Sequence, residues 1–192
     1  MTHDIIWLDE ADSTNNEAKR QIKGLSDMSV IAAVRQTAGR GQRNNTWLSE
    51  PGMNLTFSIV LKYGEGSVSS ISPADQAVIS DAIAYAIVDF LSGYGINARI
   101  KLPNDIYVGD RKICGILIEH TLCGQALLHT IIGVGLNVNQ TVFDAKLPNP
   151  TSMALETGSG SYDLHALLEE LLAVFCFYKY NYSSNSITVP SA

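Results

Sequence analysis

The stretch from Lys101 to Gly115 (KLPNDIYVGDRKICG) limits the possible folds more than any other part of the chain. Pro103 removes a backbone donor and drives Leu102 out of helical geometry, so Lys101 and Asn104 belong to a bend. Gly109-Asp110 then reads as a tight turn joining Ile106-Tyr107-Val108 to the apolar run from Ile113 to Ile118, which predicts a β-hairpin. Arg99, Lys101, Arg111 and Lys112 are concentrated around this otherwise apolar hairpin. A rigid turn that fixes Lys101, Asn104, Asp105 and Lys112 relative to one another is suited to holding an anion.

The flanking segments predict more strands and amphipathic helices. Ile5 to Leu8 suits a first strand. Thr14-Asn15-Asn16-Glu17 matches a capping box and opens a helix to about Gly24. The Asp12-Ser13-Thr14-Asn15 cluster therefore sits at a strand-to-helix turn, where hydroxyls and amides serve either as caps or as ligands. Val30 to Val34 is β-type, and Gln36 to Arg43 is a glycine-rich loop carrying Arg40 and Arg43. It is neither a P-loop, since GxxxxGK[ST] is absent, nor a dinucleotide turn, since Asn44 stands where a third glycine is needed. Glycine-flanked arginine still lets backbone N–H groups and a guanidinium approach one anion.

From Met53 to Leu61 apolar residues alternate with Asn54, Thr56 and Ser58, as in a half-buried strand. Ser72 and Pro73 start a long amphipathic helix ending at Gly93. Leu127 to Asn139 is a strand with Leu128, Thr130, Ile132, Val134, Leu136 and Val138 on one face and Gly133, Gly135, Asn137 and Asn139 on the other. Glycines in a strand interior mark either a bulge or a place where a ligand or backbone comes close. Residues 146–157 read as a loop, Asp163 caps a last helix, and 181–192 read as a polar tail. With no repeat and no linker, the expectation is a single α/β domain of the α+β type: a mixed, largely antiparallel sheet with helices packed on it.

The formal net charge of −6 argues against a DNA- or RNA-binding surface, and no basic face carries interleaved aromatics. The positive charge is focused in two loops, Arg35/Arg40/Arg43 and Arg99/Lys101/Arg111/Lys112, which fits a small polyanion. No apolar run approaches a membrane span and no signal peptide is evident. The 3 cysteines lack CxxC spacing, so a cytoplasmic protein is expected, without disulfides or a zinc site. The histidines show no ligand spacing, and Cys114 lies in an apolar strand. What remains is Arg, Lys, Asn and backbone N–H with one Asp, a set suited to chemistry on phosphates. Asp105 is a candidate Mg²⁺ ligand, because Mg²⁺ takes one or two carboxylates beside phosphate oxygens.

Four segments in this order, Gly39-Arg40-Gly41-Gln42-Arg43-Asn44-Asn45-Thr46-Trp47, Lys101 to Asp105, Arg111 to Glu119 and Gly133 to Asn139, with Asp12 to Asn15 upstream, resemble the biotin–protein ligases over nearly the whole chain to about residue 180. The resemblance implies a catalytic domain of the biotin/lipoate ligase type over 1–180. It implies activation of biotin by MgATP to biotinyl-5′-AMP, then transfer to a lysine of a biotin carboxyl carrier protein. Carried over residue by residue, it puts Ser13, Thr14, Asn15 and Gln36 at the ureido end of biotin, with Gly39, Gly115 and Gly133 beside it. Arg40, Arg43 and Lys112 become the catalytic cations, with Arg40 and Lys112 also touching biotin. Trp47, Asn54, Lys101, Asn104 and Asn137 join Arg40 around ATP, and Asp105 holds the metal. Lys19, on the first helix, is expected to be an inert surface cation.

The chain departs from the family pattern in three ways. Gln42 stands where arginine is common, Leu102 replaces a usual tryptophan, and neither a C-terminal β-barrel nor an N-terminal helix-turn-helix is expected. A possible homodimer is implied, as relatives pair through sheet edges. The alternatives are a lipoate- or octanoate-transferring relative on the same fold, or a biotin-binding module with weak catalysis.

Overall fold

Alternation in the strands and 3.6-residue periodicity in the helices resolve into one seven-stranded sheet. The computed structural model describes residues 4–63, 76–103, 105–124 and 126–183. The strands are β1 (Ile5–Ala11), β2 (Val30–Gln36), β3 (Leu55–Lys62), β4 (Ala98–Lys101), β5 (Asp105–Val108), β6 (Arg111–Cys123) and β7 (Ala126–Leu136). Their order is β1-β2-β3-β7-β6-β5-β4. Only β1 and β2 run parallel, and every other pair is antiparallel. The expected mixed, mainly antiparallel sheet is present. The hairpin from β5 to β6 turns at Gly109, whose φ of +59° is the left-handed geometry that glycine tolerates best.

The two faces of the sheet are covered unequally. The helices are α1 (Thr14–Gln21), α2 (Gln76–Gly93), α3 (Met153–Thr157) and α4 (Leu164–Ser183). Leu55, Phe57, Ile59 and Leu61 of β3 and Ile132, Val134 and Leu136 of β7 pack against Ile83, Ile87 and Leu91 of α2 and Leu168, Leu172 and Phe175 of α4 in the large core. Each such fully buried side chain contributes about 1.5–3 kcal/mol. The intervening strand residues face the other way, where Ile31, Val60 and Ile131 meet Ala18 of α1 in a much smaller cluster. β3 is therefore buried on both faces rather than half-buried, with Thr56 and Ser58 enclosed as well.

Several boundaries differ from the sequence reading. Ser13, not Thr14, is the N-cap of α1, and its hydroxyl makes no capping bond. The capping-box reading fails because Thr14 is already committed across the fold, its N–H donating to Gln36 Oε1 at 2.9 Å. α1 ends at Gln21, and Gly24 closes the following turn through its N–H on the Gln21 carbonyl. The loop predicted over 146–157 contains α3, only five residues long and so too short to show periodicity; Ser152 caps it and Gly158 ends it. Asp163 caps α4 as expected, accepting from the N–H groups of His165 and Ala166. α4 runs to Ser183, past the start expected for the polar tail. The Ser72-Pro73 start and the tail beyond 183 lie outside the described residues. α2 is also long and apolar enough to span a membrane by length and composition, although charged and polar residues interrupt its apolar run; its apolar face packs on the sheet and α4.

Candidate functional site

Cross-strand register, which sequence periodicity alone does not fix, aligns the glycines. Gly135 of β7 sits opposite Thr56 of β3 on one side and Gly115 of β6 on the other, and Gly115 in turn faces Asp105 of β5. One row further along, Gly133 lies between Ser58 and Leu117. On the face carrying α1, the centre of the sheet is thus a floor of bare backbone, and a cleft opens over it. The close-approach reading of these glycines holds: a methyl group at Gly133 would fall 2.2 Å from Asn15 Oδ1, and one at Gly135 would fall 2.3 Å from Trp47 Cε2.

One end of the cleft is polar and closed. Ser13, Thr14, Asn15 and Gln36 line it. Thr14 reaches Gln36 Oε1, and Ser58 Oγ lies 2.8 Å from Thr14 Oγ1 and 2.6 Å from Asn15 Oδ1. The Asn15 amide donates to the Leu117 carbonyl at 3.3 Å and to Glu119 Oε2 at 2.8 Å. Ser13, Thr14, Asn15 and Ser58 are all buried. Such a network fixes hydroxyl and amide positions for a ligand that itself hydrogen-bonds.

The other end is cationic. The loop after β2 folds back on itself: Trp47 N–H donates to the Gly39 carbonyl at 3.0 Å and Gly41 N–H to the Asn45 carbonyl at 2.7 Å. Gly39 is required there, since a Cβ would lie 2.4 Å from the Trp47 carbonyl oxygen. This lays the Trp47 ring on Gly115 and Gly135, with Lys112 Nζ 5.8 Å from the ring centroid. Lys112 pairs with Asp105 at 2.7 Å, and its backbone is clamped by Asn149 and Thr151. Trp47 Nε1 is buried in this wall with no acceptor among the described residues, a deficit of about 1–3 kcal/mol that a ligand acceptor would relieve. Arg40 and Arg43 also line the cleft; Arg43 lies at φ 54° in a turn of 3-10 helix at 42–44.

The structure gathers Ser13, Thr14, Asn15, Gln36, Arg40, Arg43, Trp47, Asp105, Lys112, Gly115 and Gly133 around this one cleft, and it places other candidates elsewhere. Asn54 is buried away from it: its amide nitrogen bonds Ser49 and Gln140, and its oxygen accepts Val138 N–H. Asn137 is likewise occupied, donating to the Thr151 carbonyl at 2.9 Å. Both are structural clamps because strand ends near the buried 137–140 segment need partners for their backbone groups. Lys101 is exposed on edge strand β4, over the Tyr107 ring at 4.3 Å. Asn104 lies outside the described residues. The expected focusing of charge is therefore partial. Arg35 pairs with Glu10, Arg99 bonds the Gly109 carbonyl and Arg111 pairs with Glu156, leaving Arg40, Arg43 and Lys112 at the cleft.

The histidines described take no part. His120 bonds Thr130, His165 stacks on Trp7 and His129 lies on β7 beyond the glycines. Burial pushes the Cys114 thiol well up, so it stays protonated as a core residue.

Sequence reading missed Glu119 and Ser58. Glu119 accepts from Asn15, Arg40 and Lys19. Burial opposes its ionisation, but the hydrogen bonds from Lys19, Arg40 and Asn15 outweigh it and hold the carboxyl down at about 2. Because the folded value lies below the unfolded one, this cluster stabilises the fold at pH above the usual carboxylate range. That contribution is lost as pH falls from 4.5 toward about 2. Thermal unfolding followed by circular dichroism should show Glu119→Gln losing less stability than the parent across that window. Parallel curves would remove the cluster from the acid response.

Three comparisons bear on this geometry. The sequence pattern of the Biotin/lipoate A/B protein ligase family matches residues 7–137. The Bifunctional ligase/repressor BirA of Escherichia coli (strain K12) is 30% identical over 162 residues, 84% of this chain and 49% of that protein. The Biotin--[acetyl-CoA-carboxylase] ligase of Paracoccus denitrificans is 33% identical over 131 residues, 68% of this chain and 53% of that protein. The chain thus spans about half the length of these curated relatives. Among solved structures, the biotin protein ligase from Aquifex aeolicus in complex with biotin and ATP superimposes with a TM-score of 0.73 at 26% identity, covering 95% of this chain and 73% of that one.

Proposed function

Since the chain belongs to the Biotin/lipoate A/B protein ligase family, we propose that it activates biotin with ATP and passes the biotinyl group to a lysine of a biotin carboxyl carrier protein. In the first step a biotin carboxylate oxygen attacks the α-phosphorus of ATP. The bond to the bridging oxygen breaks, pyrophosphate leaves and biotinyl-5′-AMP forms. In the second, the carrier lysine's neutral amine attacks the acyl carbon, AMP leaves with the bonding pair and the amide loses a proton.

One observation carries this reading: a single cleft joins a closed hydrogen-bonding end to a cationic end across a glycine floor. Thr14, Asn15 and Gln36 offer donors and acceptors to a ureido ring. The glycine floor admits a flat ligand against the sheet. Lys112 and Arg40 stand where carboxylate and phosphate charge would meet, and the protein's work there is positioning and neutralisation. Asp105 is the one acidic side chain lining the cleft, and no cluster of three or more metal-binding side chains exists among the described residues. That donor set fits Mg²⁺ arriving with ATP phosphates rather than a resident metal. Bound that way, the ion would neutralise phosphate charge beside Asp105.

The lipoate reading is disfavoured by the closed end. A dithiolane ring brings no donor or acceptor to the polar end built from Thr14, Asn15, Gln36 and Ser58, whereas a ureido ring brings both. Incubation with biotin and MgATP, followed by mass spectrometry, should give biotinyl-AMP and pyrophosphate, then a biotinylated carrier domain. Binding of biotin without pyrophosphate release would support a binding module instead. Adenylation of lipoate or octanoate in preference to biotin would sink the assignment.

A further inference from the structure

Arg40 lines the cleft, yet its guanidinium is held from behind. It donates to Glu119 Oε2 at 3.1 Å, to Glu119 Oε1 at 3.0 Å and to Asn16 Oδ1 at 2.9 Å. Glu119 Oε1 also takes Lys19 Nζ at 2.6 Å, and its Oε2 takes the Asn15 amide at 2.8 Å. Two cations share one carboxylate. If Arg40 left for an anion in the cleft, Glu119 would keep Lys19 and Asn15 and would not become an unpaired, half-buried charge. Without Lys19, the same departure would strand it, and an unpaired buried charge is costly. Arg40 stands between Gly39 and Gly41 in a loop closed by backbone bonds at both ends, so its side chain can change partner while the loop stays put.

We propose that Glu119 is a positioning residue that sets the resting place of Arg40, and that Lys19 is the replacement counter-ion that lets Arg40 be released to an incoming phosphate or carboxylate. This rests on the reading that the cleft takes ATP. Neither residue touches the reacting atoms. Lys19 belongs to the machinery from the exposed side of α1, contrary to its expected role as an inert surface cation.

The test is calorimetric titration of ATP into the full chain at low salt, as a double-mutant cycle. Lys19→Met is expected to weaken ATP binding about threefold, the scale of a partly exposed ion pair. Glu119→Gln is expected to bind ATP at least as tightly as the parent, since Arg40 is no longer held back. In the Glu119→Gln background, Lys19→Met should have no further effect. A merely structural cluster gives another pattern, in which both substitutions weaken ATP and their effects multiply; that result overturns the proposal. Should Glu119→Gln fail to fold, Lys19→Arg decides: restored affinity supports the counter-ion role, and affinity as low as with methionine refutes it. If the parent itself binds no ATP, the ligase reading falls first and takes this one with it. Normal binding with multiplying effects sinks the relay alone.

Discussion

Gly135→Ala is expected to reduce biotinyl-AMP formation by about 100-fold or more, the penalty for misplacing a reacting partner by around an ångström. The new methyl would lie 2.3 Å from Trp47 Cε2 and 2.6 Å from Nε1, so one side must move. β7 cannot easily do so, because β3 and β6 hold it by hydrogen bonds on both edges. Trp47 must therefore leave the floor, which removes one wall of the cleft and the ring beneath Lys112. The fold itself should persist, since the large core lies across the sheet. Biotin-dependent exchange of pyrophosphate into ATP measures the effect, with Gly160→Ala as comparison because nothing lies within 4 Å of a Cβ there. Parental exchange rates in Gly135→Ala would show that the Trp47 contact is dispensable.

The second large effect is expected from Lys112→Ala. Removing one preorganised donor aimed at developing charge costs about 10²–10³ in rate. Two features make Lys112 such a donor: its ammonium is fixed by Asp105 at 2.7 Å, and its backbone is held by Asn149 and Thr151. The truncation also removes the ion-pair partner that Asp105 has at 2.7 Å. Lys112→Ala should therefore lower the rate of adenylate formation while biotin binding, made mainly at the closed end, changes little. Single-turnover measurements with saturating ATP separate the two. A loss confined to biotin affinity would move Lys112 out of the adenylation step.

Local patterns made part of this molecule readable from sequence. The β5–β6 hairpin followed from Gly109-Asp110 between apolar runs, and the glycine face of β7 from strict alternation, because both depend on neighbours a few residues away. What alternation cannot show is what lies across the strand. Asn54 and Asn137 occupy the predicted faces, but their amides are consumed by Gln140, Val138 and Thr151, contacts set by how separate segments meet at the sheet's end. Glu119 was hidden in the same way. Nothing within β6 reveals that Arg40, 79 positions earlier, and Lys19, 100 earlier, converge on its carboxylate. Capping at α1 was misjudged by one residue because Thr14 answers to Gln36, 22 residues on, rather than to its own helix.

The unequal covering of the sheet separates what keeps the protein folded from what it recognises. Strand residues that point toward α2 and α4 carry most of the apolar burial, while Gly115 and Leu117 of β6 and Gly133 and Gly135 of β7 face the cleft. A change at Leu117 therefore alters the cleft without touching the large core, whereas Gly133 and Gly135 have no room for a side chain. Variation at Leu117 and at the loop positions Gln42, Asn45 and Thr46 is accordingly the natural place to look for new preferences on an unchanged frame.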